Sequence, residues 1–414
     1  MSGVLSVSEL EIANAGKGVF SAFGDVADLE FESGIIPMPM SIPERFQDKS
    51  WMEPEFDPAI HLAIERPKKM TLLDFSEVDK TPEVEGNDKS CLAYTQAFRL
   101  LSDEGVRVLR EILARNMDLV RSSERIPSYI RGLAHTSKFI RDLNECPLVL
   151  DVLSECAGYR VIPHYLPMNY AHTNFGMLPK SHDVKSVPVD QWHVDSVPFV
   201  LIIILSDMTD MIGGELQCIK RVGREAGFKL IEETKNEVSD SEMLTVSYQK
   251  QGYCLFMQGS EIVHHVTAVK KAVEPRITMV NSYMPANCFA DDRTVYKTFL
   301  ELGKEKESIL EFARGRAWRA KTQLEAFATR APYSDDPRPY VAFLTRVLSE
   351  LSMTVDLLAA KADQDFDYFH EVAGDKYNET KSAESTKAGV DASRRSEEEI
   401  TSLMKSEKPV LIKS

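Results

Sequence analysis

Two kinds of apolar spacing divide the chain into a helical region, a strand-rich region and a second helical region. Apolar residues three to four positions apart predict amphipathic helices. One of these helices begins near Ser102, and the others cover 126–142, 147–156, 296–330 and 338–362. Ser102 is a typical N-cap residue. Pro147 is placed to be the first residue of its helix, with Gly158 just beyond the end.

Between Tyr159 and Pro285, short segments rich in β-branched and aromatic residues predict strands. They are YRVIPHYL, VPFVLIIIL, GELQCIKR, GYCLFMQ, EIVHHVTAV and RITMVNSYM. Strands of this kind, preceded by helices that can cover one sheet, predict a mixed α+β fold with a jelly-roll core. Residues 221–249 are polar, and we expect a polar excursion between two core strands there.

These patterns predict five regions. They are an irregular N-terminal arm (1–90), a helical support (91–158), a β core (159–290), C-terminal helices (291–376) and a polar tail (377–414). The arm is assigned from its many prolines and lack of periodicity, and the tail from its Lys, Ser and Glu content. The leucine stripe of the C-terminal helices suits either an intramolecular core or a dimer face, so we expect a monomer or a homodimer.

Charge and composition exclude several classes of function. There are 49 Lys and Arg against 64 Asp and Glu, a formal net charge of −15. A protein without a net basic field has no general attraction for nucleic acid. The longest apolar run, VPFVLIIIL, has nine residues, whereas a membrane-spanning helix needs about 20.

The location of the protein is expected to be the cytoplasm. The N-terminal residues lack the basic start and apolar stretch of a signal peptide. The six cysteines are scattered, with no C-x-x-C pair, which is typical of reduced structural thiols.

The candidate chemistry starts at His193-Val194-Asp195. Residues two apart on a strand project to the same face, so the imidazole and the carboxylate can converge on one point. A third ligand can come from His264 or His265, but only one of these neighbours can face the same way. Two histidines and a carboxylate are the ligands of non-haem Fe(II) oxygenases and leave positions open for a co-substrate and O2. Catalytic zinc favours four-coordination and leaves one position.

A candidate anion clamp follows the histidine pair. Arg276 and Thr278 share a face of a predicted strand. A guanidinium fork matches a carboxylate, and a neighbouring hydroxyl adds a donor. This pair suits the distal carboxylate of 2-oxoglutarate, which a zinc hydrolase would not need.

The order HVD, HHVTAV and EPRIT resembles the H-x-D…H…R-x-S/T pattern of the Fe(II)- and 2-oxoglutarate-dependent dioxygenases. Gly213-Gly214-Glu215-Leu216 is similar to the G-G-x-L turn of that family, and the resemblance covers about residues 160–285. It implies a double-stranded β-helix, like that of the cupins, flanked by the N- and C-terminal helices. It also implies O2-dependent conversion of 2-oxoglutarate to succinate and CO2.

The resemblance assigns roles to individual residues. It implies that Fe(II) is held by His193, Asp195 and His264, with His265 as a flanking residue. It implies that 2-oxoglutarate is bound by Arg276 and Thr278. After Leu216 the sequence QCIKRVG departs from the turn of many members, so the resemblance does not carry a substrate over.

Substrate-side candidates are Tyr170, His172 and Asn174, which alternation places on one face just before the HVD segment, and Gln258 in a turn near the histidine pair. We expect a small-molecule substrate, such as an amino acid or a natural-product intermediate, and hydroxylation, desaturation or cyclisation as the outcome. Two alternatives stay open: a non-oxidative cupin-like enzyme with zinc or manganese, and a non-catalytic binding protein on the same scaffold.

Overall fold

The computed structural model describes residues 52–79, 89–176, 187–246, 250–288, 290, 292, 294–296, 306–331 and 333–362. Most of the arm and the whole of the predicted tail lie outside these residues. Within them, the chain up to Gly315 forms one compact unit, and Arg316 to Ala362 belong to a second. No helix in the described part of the chain combines the length and the apolar character that a bilayer-spanning segment needs.

The described elements combine α-helices with antiparallel sheets, in agreement with the mixed α+β class that the sequence predicts. The α-helices are α1 (Pro58–His61), α2 (Asp103–Arg115), α3 (Lys138–Asn144), α4 (Pro147–Ala157), α5 (Arg224–Thr234), α6 (Lys306–Arg330) and α7 (Arg338–Ala362). Short 3-10 turns cover Met117–Leu119, Leu133–His135, Pro167–Asn169 and Asp240–Glu242.

The strands form two sheets. They are β1 (Met70–Leu72), β2 (Glu77–Val78), β3 (Leu92–Thr95), β4 (Phe98–Arg99), β5 (Tyr129–Ile130), β6 (Val161–Pro163), β7 (His172–Gly176), β8 (Asp190–His193), β9 (Phe199–Ile204), β10 (Leu216–Val222), β11 (Met243–Val246), β12 (Tyr253–Met257), β13 (Ile262–Val266) and β14 (Arg276–Pro285). The larger sheet has the order β2-β1-β3-β12-β9-β14-β7-β5, with β4 beside β12 and β6 beside β14. The smaller sheet has the order β11-β10-β13-β8.

Capping residues set the ends of two predicted helices where the sequence places them. The Ser102 hydroxyl accepts a hydrogen bond from the Gly105 backbone N–H at 3.0 Å, so α2 begins at Asp103. Pro147 opens α4, and Gly158 closes it with a left-handed φ of 80°. Both predictions are confirmed, as is the helix over 338–362.

The helix predicted over 126–142 is wrong in its first half. Gly132 has a φ of 78°, which an α-helix cannot contain, and Ser137 caps a new helix through Ile140 N at 3.1 Å. The preceding residues Tyr129 and Ile130 pair with β7 instead. Pairing with the sheet therefore outweighs the helical spacing of this segment.

The polar segment 221–249 contains regular structure. Its α5 helix buries Phe228, Leu230 and Ile231 against Trp192 and Val263 of the smaller sheet. Strand β11 then adds to the edge of that sheet by pairing with β10. The segment therefore covers the outer face of the smaller sheet, which its average polarity concealed.

Alternation along the larger sheet gives it two different faces. On β14, Met279 and Tyr283 belong to a hydrophobic core with residues of α2, α3 and α4. The residues between them, including Val280 and Ser282, line a cavity on the other face. The site described below opens onto this second face.

In the second unit, the last four turns of α6 pack against α7. The Arg319 guanidinium pairs with the Glu350 carboxylate at 2.9 Å, and Arg316 Nε donates to the Thr354 hydroxyl at 3.0 Å. The rings of Phe327 and Phe343 stack 4.7 Å apart. These contacts make the two helices an antiparallel hairpin.

Candidate metal centre

Two neighbouring strands of the smaller sheet bring His193 and His264 together. The two residues are directly opposite each other in the antiparallel pairing of β8 with β13, so their side chains project from the same face. Their ring centroids are 4.2 Å apart, with the planes tilted by 55°. Both side chains are almost fully buried.

Asp195 completes a cluster with the two rings. It lies just beyond the end of β8, where its backbone N–H donates to the carbonyl of Gly259 at 2.9 Å. Its Oδ1 is 3.6 Å from Nε2 of His193, and its Oδ2 is 3.6 Å from Nε2 of His264. One ligand atom of each side chain lies within 4.8 Å of the other two. We call His193, Asp195 and His264 the triad.

Backbone carbonyls fix the tautomers of both histidines. Nδ1 of His193 is 2.6 Å from the oxygen of Gln191, and Nδ1 of His264 is 2.8 Å from that of Ile262. Because a carbonyl oxygen only accepts, each Nδ1 must carry the proton. Each Nε2 then presents its lone pair toward Asp195, which is how metal-ligating histidines are commonly oriented.

The electrostatics of the triad suit a bound cation. Burial would raise the pKa of Asp195, but the two histidine rings and nearby cationic charge outweigh it and lower that pKa to about 2. Burial and the neighbouring His193 lower the pKa of His264 to about 4. Burial also acts to lower the pKa of His193, but the Asp190 and Asp195 carboxylates outweigh it and raise that pKa.

The donor set fits a divalent transition metal. Oδ2 of Asp195 is buried and has no hydrogen-bond partner among the described residues, so a cation would satisfy it. Two imidazole nitrogens and one carboxylate oxygen on one side of an ion match the ligands of non-haem iron sites.

His265 lies on the opposite face of β13. Its ring stacks on Trp192 at 3.7 Å, and its Nε2 is 2.8 Å from Oε1 of Gln217. The structure therefore places His264, and not its neighbour, beside His193 and Asp195.

Arg276 and Thr278 lie together on the cavity face of β14. Arg276 is only 1% exposed, and its Nη1 donates to the Thr278 hydroxyl at 2.8 Å. Its Nε donates to the carbonyl of Gly214 at 2.8 Å. Gly214 has a φ of 75°, and a Cβ there would come within 2.7 Å of Cδ of Arg276. The Gly-Gly turn is therefore needed to orient the guanidinium.

A buried polar network next to the triad was not predicted from the sequence. Asp190 Oδ1 is 3.0 Å from Nε of Arg125 and 3.5 Å from Nδ1 of His193. Arg131 Nε donates to Nδ1 of His172 at 2.6 Å. Arg125 immediately precedes the segment predicted as a helix (126–142) and Arg131 lies within it, and nothing in their spacing points to a site. Asp190 offered one signal, as a carboxylate three residues before His193.

The substrate-side candidates separate in the structure. His172 and Asn174 line the cavity, and Nε2 of His172 donates to Oδ1 of Asn174 at 2.6 Å. Tyr170 lies in the hydrophobic core, and its hydroxyl donates to the carbonyl of His164. The alternation fails at Ala171, which has a φ of 58°. Gln258 does not line the cavity; its Nε2 donates to the carbonyls of Ser90 and Leu92.

The cavity encloses about 70 Å³, several times the space that one ordered water needs. Its apolar lining comes from both sheets and from the segment that follows Asp195. The residues are Val197, Val200, Ile202, Leu216, Val266 and Val280. Its polar lining consists of the triad, Arg276, Thr278, Ser196, Ser282, Asn169 and the network of Arg125, Arg131, His172, Asn174 and Asp190.

No protein-family model and no curated protein matches this sequence. SnoN, an α-ketoglutarate-dependent epimerase from nogalamycin biosynthesis, is 16% identical with a TM-score of 0.34, over 48% of this chain and 79% of its own. HygX from Streptomyces hygroscopicus, solved with nickel and 2-oxoglutarate, is 14% identical with a TM-score of 0.33, and the match covers 48% of this chain and 83% of HygX. A 2OG-Fe(II) oxygenase family oxidoreductase from Burkholderia pseudomallei is 15% identical with a TM-score of 0.31, over 46% and 84%.

These structures carry the name or the co-substrate of the family that the sequence pattern resembles.

We expect the adjacent histidines to differ in metal binding. His264→Ala removes a ligand atom and should abolish binding of Fe(II) or Co(II), whereas His265→Ala should keep the affinity within about twofold, because its ring faces away. Isothermal titration of the purified variants measures both. Loss of metal from the His265 variant alone would contradict the geometry.

Gly259→Ala should weaken metal binding without removing a ligand. A Cβ at this position would come within 1.8 Å of Oδ2 of Asp195, so the carboxylate must move. We expect about 10–100-fold lower affinity, as for changes that misplace a ligand. Ser260→Ala is the matched control and should bind metal normally. Equal metal affinities for the two variants, with unchanged melting temperatures, would show that a Cβ at position 259 does not displace the Asp195 carboxylate.

Proposed function

We propose that this protein is an Fe(II)- and 2-oxoglutarate-dependent oxygenase that oxidises a C–H bond of a small molecule. The observation that supports this most is the presence, in the lining of one cavity, of both the triad and the guanidinium of Arg276. A metal site alone would suit several enzyme classes. A buried arginine and hydroxyl in the same cavity add a binding site for a carboxylate.

The residues of the triad would hold Fe(II). Three ligands on one side leave the other positions of the ion open. The chemistry that bound Fe(II) supplies is the reduction of O2 coupled to oxidative decarboxylation of 2-oxoglutarate, which yields succinate, CO2 and an oxidised substrate. In a hydroxylation, one oxygen atom enters succinate and the other the new hydroxyl group.

Arg276 and Thr278 would anchor the distal carboxylate of 2-oxoglutarate. The guanidinium is already oriented by Gly214 and Thr278, so little side-chain freedom is lost on binding. Because the group is buried, its attraction for an anion is stronger than at a solvated surface. The role of these two residues is to position the co-substrate.

The apolar walls would exclude water from the reacting C–H bond. Val200 and Ile202 of β9 and Val266 of β13 line the same cavity as the triad. An apolar lining of this kind restricts side reactions of a reactive centre with solvent. Hydroxylation, desaturation and cyclisation all fit this arrangement.

We also propose that the two sheets form a double-stranded β-helix. This is supported by the antiparallel pairing within each sheet and by a cavity to which both contribute side chains. Residues 159–290 would be the catalytic core, with 91–158 as its helical support and 291–376 as C-terminal helices.

The test is anaerobic visible spectroscopy of the Fe(II)-loaded protein titrated with 2-oxoglutarate. We expect the charge-transfer band of an Fe(II)–2-oxoglutarate chelate, and its absence in Asp195→Ala, because the variant lacks a ligand. Asp151→Ala removes an exposed carboxylate on α4 and should keep the band. A wild-type protein that binds Fe(II) but develops no band would rule the function out and favour a non-oxidative metal enzyme.

Arg276→Gln should chiefly affect the co-substrate. We expect the KM for 2-oxoglutarate to rise about 10–100-fold, the range for losing a hydrogen-bonded charge, with a smaller change in kcat. Succinate formation at varied 2-oxoglutarate measures both constants. Arg121→Gln, at an exposed position, is the control with the same charge change. An unchanged KM in the Arg276 variant would remove the clamp from the mechanism.

A further inference from the structure

Strand β14 gives the cavity two distinct ends. The residues that it contributes to the lining are, in order, Arg276, Thr278, Val280 and Ser282. Six positions separate Arg276 from Ser282, which is about 20 Å at the rise of an extended strand. Under the proposed function, 2-oxoglutarate is anchored at Arg276, and its five-carbon chain is too short to reach Ser282. The Ser282 end of the cavity is therefore available to the substrate.

A loop beside β14 brings Asn169 to the Ser282 end. Strands β6 and β7 both pair with β14, and residues 164–171 form the loop between them. The loop begins against Ser282, whose carbonyl accepts from the His164 N–H at 3.0 Å. It ends at Ala171, whose N–H donates to the side-chain oxygen of the residue before Ser282 at 2.7 Å. Both ends of the loop are thus fixed at this part of β14, and Asn169 lines the cavity from within it.

The side chain of Asn169 has an unused hydrogen-bond acceptor. Asn169 is only 5% exposed, and its Oδ1 has no hydrogen-bond partner in the described part of the chain. A buried acceptor is normally satisfied in the functional state. A donor group of a bound molecule in the cavity would supply the missing hydrogen bond.

The backbone around Asn169 is held in place by its own contacts. The Asn169 N–H donates to the carbonyl of Leu166 at 3.0 Å. The N–H of the preceding residue, Met168, donates to Oε2 of Glu311 at 3.2 Å, and its carbonyl accepts from the Gly132 N–H at 3.1 Å. Because the loop is already ordered, little further freedom is lost when a ligand binds to Asn169.

The surroundings of the Ser282 end favour an uncharged ligand. Val200 of β9 lies directly opposite Ser282, and Ile202 lies opposite Val280, and all four side chains line the cavity. Ser282 and Asn169 are polar but carry no charge. Burying an ionised group against such side chains costs free energy, whereas a neutral polar group finds hydrogen bonds there.

We propose that the substrate has an apolar body and an uncharged hydroxyl or carboxamide group that binds Asn169 and Ser282. The apolar body would lie along Val200, Ile202 and Val280. A hydroxyl or a primary amide can donate to Oδ1 of Asn169, and it can also accept from the hydroxyl of Ser282. This inference rests on the proposed function, because the position of 2-oxoglutarate defines which end of the cavity is free.

The test uses simple probes on the protein loaded with redox-inert Zn(II) and saturating 2-oxoglutarate. The neutral probes are benzyl alcohol, benzamide, pentan-1-ol and pentanamide. Their charged counterparts are benzylamine, benzoate, pentylamine and pentanoate, and saturation-transfer NMR titrations give the dissociation constants. We expect at least one neutral probe to bind more tightly than both of its charged counterparts, by about tenfold, because no charge has to be buried. The absence of such a preference in both series, or of any binding by the neutral probes, would overturn the proposal.

Variants assign the binding to the Ser282 end. Asn169→Leu and Ser282→Ala should each weaken the preferred neutral probe about 3–10-fold, the effect of one neutral hydrogen bond. Ser282→Ala removes a single oxygen atom, which guards against a folding defect in the Asn169 variant. Ser349→Ala makes the same change at an exposed position of α7 and should behave as wild type. Unchanged probe affinity in both variants of the cavity would overturn the assignment.

The affinity for 2-oxoglutarate separates this inference from the proposed function. We expect Asn169→Leu and Ser282→Ala to keep the dissociation constant of 2-oxoglutarate within about twofold, because both residues are distant from its anchor at Arg276. Loss of 2-oxoglutarate in step with the probes would place these residues at the co-substrate and overturn the inference alone. A wild-type protein that never binds 2-oxoglutarate would instead overturn the proposed function.

Discussion

The two-residue period of the β-strand is the constraint on which the rest of this structure depends. On β14 it directs Ile277, Met279 and Tyr283 toward the helices, while Arg276 and Thr278 face the cavity. A shift of one residue in the pairing would exchange the two sets. The apolar contacts with α2, α3 and α4 therefore fix the register of the charged side as well. Packing on one face of the sheet specifies the chemistry on the other.

The burial of charged groups on the cavity face of the larger sheet costs free energy, and the apolar contacts on its opposite face offset that cost. Burying a charged group is unfavourable unless partners compensate it, whereas each buried aliphatic side chain contributes about 1.5–3 kcal/mol. The Arg125–Asp190 pair and the Gly214 carbonyl beside Arg276 supply part of the compensation. Oδ2 of Asp195 lacks such a partner among the described residues. The centre is thus incomplete as a purely protein structure, which is consistent with a role in holding a cation.

The sequence could indicate only those residues of the candidate site that local geometry encodes. His193, Asp195 and His264 could be named as candidates because strand alternation and motif order constrain them, and Arg276 and Thr278 because they lie two apart on one predicted strand. Arg125 and Arg131 could not be named. They reach the cavity because β5 pairs with β7 and Gly132 interrupts a helical pattern, and both depend on contacts distant in sequence. Tyr170 was misplaced because the positive φ of Ala171 breaks the alternation.

The same distinction applies to the fold. Helix α2 and helix α4 have capping residues that mark their ends in the sequence itself. Helix α5 has no such mark, since it lies in a polar segment and is stabilised by the sheet on which Phe228 and Ile231 pack. Elements whose stability is local could be predicted, and those whose stability comes from a partner surface could not.

The turn that holds Asp195 also connects the centre to a distant part of the chain. Gly259 accepts the hydrogen bond from the Asp195 backbone, and its neighbour Gln258 is bound to the carbonyls of Ser90, Leu92 and Ala93. Strand β3 therefore supports a ligand of the candidate metal from more than 100 residues away in sequence. The segment that carries the metal-ligand motifs therefore cannot be transplanted into another protein by itself. A chimera or minimal fragment would have to include β3, which lies outside the segment that carries the motifs, since this strand forms part of the frame that fixes the ligand.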